Sequence, residues 1–197
     1  LLWPPPEPDP AEKERAEAWL AEVEKFSREH IDGDAIDRES WVPDEVLAGL
    51  AKLGAFGIKI PREYGGLGFS QTTYGRALAL IASRCGSTGA FMSAHQSIGV
   101  PQPLKLFGTP AQKQKYLTRL ARGEWLGAYC LTEPNAGSNA ANQQTTAVLD
   151  GDTWVLNGTK LFVTNAGPSD VLVVYVSTDR ALGPRGITAF IVGANTP

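Results

Sequence analysis

Cysteine, histidine and methionine are scarce in this sequence: two, two and one among 197 residues. Cys85 and Cys130 lie far apart in apolar contexts, and neither has a Cys or His neighbour at metal-ligand spacing. His30 and His95 are likewise lone histidines. A metal site, a disulfide framework and a Cys–His nucleophile pair therefore lack raw material, and both thiols are expected buried and free in a reducing compartment. No run of about 18 apolar residues occurs. The opening stretch, residues 1–10, follows two leucines and Trp3 with five prolines and two acids, unlike a secretory signal. Neither a membrane span nor export is expected. The 18 basic residues are scattered among 21 acidic ones, for a net charge of −3, so nothing clusters to grip a phosphate backbone and nucleic acid is not an expected partner. Any catalysis would have to be carried by a bound cofactor.

What is present is a globular composition, 43% hydrophobic and 20% charged. Residues 1–10 read as an extended Pro-rich lead-in. Over 11–30, Trp19, Leu20, Val23 and Phe26 recur at helical spacing against Glu and Lys. Further helices are expected over 43–53, 71–84 with Ser70 as cap, 88–100, and from Pro110 to near Gly123, where Thr109-Pro110-Ala111-Gln112 has capping-box spacing. The glycine-rich run Glu63 to Gly68 lacks dinucleotide-fingerprint spacing and reads as a turn. After Gly123 the pattern turns β-branched and aromatic, with turn dipeptides at Asp150-Gly151 and Asn157-Gly158. Strands are expected near 126–131, 143–149, 153–164, 171–177 and 187–193. The fold class is α+β: a helical domain over 11–124, then a partial β domain over 125–197.

The most informative segment is Tyr129-Cys130-Leu131-Thr132-Glu133-Pro134-Asn135-Ala136-Gly137-Ser138-Asn139. A strand delivers Thr132 to a sharp loop whose Gly137 and Ser138 expose amides and a hydroxyl, a geometry that can cradle an anion. On spacing alone, a polar inter-strand turn with Glu133 solvated is the commoner outcome. Tyr129, Leu131 and Phe162 would likewise be ordinary strand core.

Four ordered motifs go further: Pro61 to Gly68, Phe107-Gly108-Thr109 to Leu117, Thr132-Glu133-Pro134 with Gly137-Ser138, and Asn157-Gly158-Thr159-Lys160-Leu161-Phe162-Val163-Thr164-Asn165. Over residues 15–197 the chain resembles the acyl-CoA dehydrogenases, and Ala94 to Gly99 looks most like their very-long-chain branch. The resemblance implies an incomplete antiparallel middle sheet or barrel, with the family's carboxy-terminal helical bundle absent. It implies FAD as cofactor. Tyr129, Leu131 and Thr132 match residues along the isoalloxazine ring, Gly137 and Ser138 the loop beside the pyrophosphate and the thioester end of the substrate, and Phe162 and Thr164 the aromatic wall and the hydroxyl facing flavin N5. Ser138 is thus also a substrate-binding candidate. Fixed donors suit a flavin on which negative charge grows. Two departures stand out: Phe162 replaces the usual Trp, and Asn139 the usual Asp.

The resemblance also implies α,β-desaturation of a fatty acyl-CoA to a trans-2-enoyl-CoA, with electrons passing to an electron-transferring flavoprotein, in a homo-oligomer of the bacterial cytoplasm or mitochondrial matrix. The family's catalytic Glu has no match here, so no catalytic residue is assigned to this chain. It is expected to be a fragment, or part of a split protein, that is inactive alone. An acyl-CoA oxidase or flavin monooxygenase of the same fold, and a non-catalytic interaction module, remain alternative readings.

Overall fold

The computed structural model describes residues 9–196, with the backbone only at Ile98. The expected lead-in falls mostly on residues 1–8, outside that range, and its last two residues, Asp9 and Pro10, cap and open a helix. The chain divides into two compact units, parted in sequence between Trp125 and Leu126.

The first unit is helical. Asp9 caps α1 (Pro10–His30) by accepting from the Ala11 amide at 2.9 Å, and Pro10 occupies the first turn, where no N–H is needed. The apolar stripe of α1 is buried through Ala16, Trp19, Leu20 and Val23. Trp19 also donates its indole N–H to Leu53 O at 2.7 Å, so its ring is buried without orphaning a donor. Two short helices follow, α2 (Gly33–Glu39) and α3 (Asp44–Lys52). Gly65 and Gly68 have φ of 82° and 64°, and a Cβ on Gly66 would come within 2.1 Å of Ile60 O. The glycine run is a turn, as its composition implies.

Next come α4 (Gln71–Ala82), capped by Ser70, and α5 (Gly86–Ser93). The helix expected over 88–100 starts two residues earlier and changes character after Ser93, because Ala94–Ile98 is a π turn. A Cβ on Gly99 would stand 2.3 Å from His95 O, so only glycine lets the widened turn close. Gln96 fixes it by accepting from Ile58 N at 2.9 Å and donating to Ala55 O at 2.5 Å. Pro101 and Pro103 do not end the helical run. They sit in the first turn of an unexpected helix, α6 (Pro101–Phe107). Finally α7 (Pro110–Ala121) carries the capping box, with Gln112 N to Thr109 Oγ1 at 3.2 Å and Thr109 N to Gln112 Oε1 at 2.8 Å.

The second unit is one open sheet of β1 (Gly127–Cys130), β2 (Thr146–Asp150), β3 (Thr153–Asn157), β4 (Val171–Ser177) and β5 (Ile187–Gly193). Val-rich β4 is its centre. It pairs antiparallel with β5, from Val171↔Gly193 to Ser177↔Ile187, and parallel with β1, from Gly127↔Val171 to Cys130↔Val174. It also meets β2 in parallel at Thr146↔Ser177, while β2 and β3 form a tight hairpin. The pairing is mixed where an antiparallel sheet was expected, because long connections after β1 and β3 bring the chain back in the same direction. The strand expected over 153–164 stops at Asn157. Gly158 packs so closely on Thr145 that a Cβ would lie 2.4 Å from its Oγ1, and the chain leaves the sheet at Gly158.

Candidate functional site

Alternation along β1 sends Tyr129 and Leu131 to one face of the sheet and Cys130 to the other. The β1–β4 register puts Val171, Val173 and Tyr175 on the Tyr129 face, and the two tyrosine rings lie 5.0 Å apart at 51°. Burial, reinforced by Tyr129, raises the Tyr175 phenol above its ordinary pKa. Beyond Thr132 the chain makes a tight turn, closed by Glu133 N to Ala136 O at 3.2 Å and Ala136 N to Glu133 O at 3.1 Å. Gly137, Ser138 and Asn139 emerge from it exposed, and a Cβ on Gly137 would meet nothing within 4 Å.

A second loop, 158–170, is tied to the first. Leu161 N donates to Thr132 O at 2.8 Å, bringing Phe162 and Thr164 beside the end of β1. Phe162 holds φ of 54° and Asn165 φ of 68°. For a bulky aromatic this left-handed backbone is a true outlier, the kind of strain that collects at functional sites. The Phe162 ring is 91% exposed. Thr164 is exposed and Thr132 half-buried.

Beneath both loops lies an ion pair. Lys160 Nζ stands 2.7 Å from Glu133 Oε1, with side-chain exposures of 10% and 2%. Lys160 also donates to Leu131 O at 3.1 Å and to Gln143 Oε1 at 2.8 Å. Glu133 accepts in addition from Gln144 N at 2.5 Å and Thr145 N at 3.1 Å. Burial pulls the Glu133 carboxyl upward, but the bonds from Lys160 and the Gln144 and Thr145 amides outweigh it and hold its pKa at about 2. The expectation of a solvated Glu133 fails because its oxygens are wanted by this network. Burial also pushes the Cys130 thiol up to about 11, against the opposing charge of Lys160. It is an inert thiol, not a nucleophile.

Residues 13–124 match the model of the acyl-CoA dehydrogenase N-terminal domain, and 128–197 that of the acyl-CoA dehydrogenase middle domain. The chain belongs to the acyl-CoA dehydrogenase family. It is 47% identical to a probable acyl-CoA dehydrogenase, FadE10, of Mycobacterium tuberculosis, over 100% of this chain and 30% of that protein. Among solved structures, butyryl-CoA dehydrogenase from Megasphaera elsdenii superposes with a TM-score of 0.85 at 36% identity, covering 92% of this chain and 49% of that one. An acyl-CoA dehydrogenase complexed with FAD, from Bacillus anthracis, gives 0.79 at 34% identity, covering 92% and 31%. The chain thus spans between 30% and 49% of the length of these relatives.

Within this family framework, one backbone hydrogen bond ties the loop that carries Phe162 and Thr164 to Thr132, and Gly137 and Ser138 follow directly from the closed turn. Among the described residues, the hydroxyls of Thr132, Ser138 and Thr164 have no hydrogen-bond partner in the chain, so they are free to meet a ligand. The donor set and the exposed aromatic ring suit a flavin, and the open space over Gly137 suits close approach of a bulky anion. Tyr129 and Leu131 are less available, being half-buried on the sheet face. Sequence reasoning gave Lys160 and Gln143 no role. The signal was a single Lys in an otherwise apolar run after a tight turn, opposite a Glu whose own motif sits at a strand end. Among the described residues no cluster of His, Cys, Asp or Glu could hold a metal, and no helix is long and apolar enough to cross a membrane. His95, fully buried in the first unit, keeps a structural place: burial, opposed by hydrogen bonds to the backbone of Leu120 and Phe56, lowers its pKa to about 4.

Proposed function

We propose that this chain supplies the flavin-holding part of an FAD-dependent acyl-CoA dehydrogenase acting on fatty acyl-CoA thioesters. One observation supports the reading: the Leu161–Thr132 hydrogen bond ties the loop that carries the exposed Phe162 and Thr164 to the strand end that leads into the Gly137–Ser138 loop. FAD, when bound, accepts the hydride that leaves the acyl β-carbon. The chain's residues bind and orient it. Thr132 would hydrogen-bond near its pyrimidine end, Thr164 would face N5, Phe162 would give an apolar wall, and the Gly137 and Ser138 amides and hydroxyl would meet the pyrophosphate and thioester end. Tyr129 and Leu131 line the ring from β1.

None of the acids of this unit is assigned as the base. Glu133 is locked to Lys160, and a carboxyl held at about 2 is far too weak to take an α-proton. Asp150, Asp152, Asp170 and Asp179 are exposed, where water surrounds the charge. Electrons leave to an electron-transferring flavoprotein, and the working protein is a homo-oligomer.

The test is an FAD titration of the protein made from its complete coding sequence, then anaerobic addition of long-chain acyl-CoA. A yellow protein bleached by substrate supports the reading. Failure to take up FAD, or a bound flavin that no acyl-CoA reduces, sinks it. The same titration on residues 1–197 alone is expected to show weak FAD uptake and no bleaching.

A further inference from the structure

The Lys160 ammonium under the two loops is satisfied in full. An ammonium has three donors and no acceptor, and Lys160 commits all three, to Leu131 O, Glu133 Oε1 and Gln143 Oε1. Those acceptors belong to three separate stretches: the end of β1, the tight turn, and the approach to β2. Lys160 itself opens the loop that carries Phe162 and Thr164. Glu133 in turn gathers the Gln144 and Thr145 amides, so four segments converge on one pair of charges. Pairs this buried add little to stability compared with apolar side chains of the same shape, and their best-attested use is to select one geometry. The loop needs such selection. Its backbone holds left-handed conformations at Phe162 and Asn165, and the exposed Phe162 ring has almost no packing to keep it there.

We propose that Lys160 is a positioning residue. Acting through Leu161 and its bond to Thr132, it fixes the 158–165 loop to the end of β1, so that Phe162 and Thr164 are presented to the flavin at a set spacing from Thr132. This rests on the flavin reading above. The anchor is a property of the chain by itself, present whether or not flavin is bound.

The test uses Lys160→Met and the neutral pair Glu133→Gln with Lys160→Met, in the protein made from its complete coding sequence. In the flavin-free protein, hydrogen exchange of the Leu161 amide is expected to speed up about tenfold or more in Lys160→Met, while amides in the middle of β4 keep their protection. The neutral pair is expected to restore the melting temperature lost in the single variant. It should nevertheless keep the fast Leu161 exchange and bind FAD about tenfold more weakly, with a shifted flavin absorption band. Lys160→Arg, which keeps the charge, is expected to recover part of both. A neutral pair with wild-type Leu161 exchange and wild-type FAD affinity overturns the proposal, leaving a merely structural ion pair. So does Lys160→Met if protection falls equally across β4 and the loop, a readout that needs only the single variant to fold. A wild-type protein that takes up no FAD overturns the flavin reading and the word "presented" with it, and the exchange data then decide the anchor separately.

Discussion

Phe162 and Asn165 share left-handed backbone, with φ of 54° and 68°, yet they face opposite environments: Asn165 is buried and the Phe162 ring is 91% exposed. Asparagine tolerates this region well, and phenylalanine does not. The strain at Phe162 is therefore held by the loop and not repaid by packing of its own ring.

Phe162→Ala is accordingly expected to leave stability within about 0.5 kcal/mol of wild type. The same change should weaken FAD binding severalfold, since an aromatic contact of about 0.5–1.5 kcal/mol is lost. Thermal unfolding of the flavin-free protein and an FAD titration check the two halves. A melting temperature that drops steeply would mean the ring serves the fold.

The three uncommitted hydroxyls lead to a parallel expectation. Thr132→Val, Ser138→Ala and Thr164→Val break no hydrogen bond within the chain, so melting should barely move. Each removes one bond to the ligand, worth about 1 kcal/mol or roughly fivefold in FAD affinity. Wild-type FAD affinity in all three variants would remove these residues from the site.

How much of this was legible in the sequence depends on the range of the interactions. Caps and turns are local, and Ser70, the Thr109–Gln112 box and Asp150-Gly151 stand where their residue types put them. The valine run of β4 announced a buried strand. The helix that begins at Pro101 was not expected, because the tolerance of two prolines in a first helical turn depends on where that turn begins, which Val100 and Pro101 settle only in three dimensions. The end of β3 was misplaced for a related reason: Asn157-Gly158 is a turn signal inside an apolar run, and only the close contact of Gly158 with Thr145 marks where the strand ends. For the site, the loops were visible as motifs, whereas the Lys160 network joins residues that no local pattern links.

Gly99 offers a sharper packing test. Gly99→Ala would bring a methyl to 2.3 Å from His95 O and 2.4 Å from Ala94 O, both backbone atoms that cannot swing aside. The π turn must then open, at a cost of about 1–3 kcal/mol. Chemical denaturation should show this loss with an unchanged slope. A neutral outcome would mean the turn relaxes to an ordinary helix without penalty.

Acid should destabilise the two units in different windows. In the first unit, folded His95 has a pKa of about 4 against an ordinary 6.5. Its depressed pKa means that the unfolded chain binds the proton first, so stability is full above 6.5 and falls as pH drops toward 4. At about 1.4 kcal/mol per pH unit, the loss is on the order of 3 kcal/mol over that window. In the second unit, folded Glu133 has a pKa of about 2 against 4.5, so its contribution is full above 4.5 and drains away as pH falls toward 2. Urea unfolding from pH 7 to 3 should therefore show an upper slope that His95→Gln flattens and a lower one that Glu133→Gln flattens. The slope is the readout, because either variant can lower stability at pH 7 by disturbing its neighbours. An upper slope that survives His95→Gln would mean that another group takes up the proton in that window, and that His95 is not the acid-sensitive point of the helical unit.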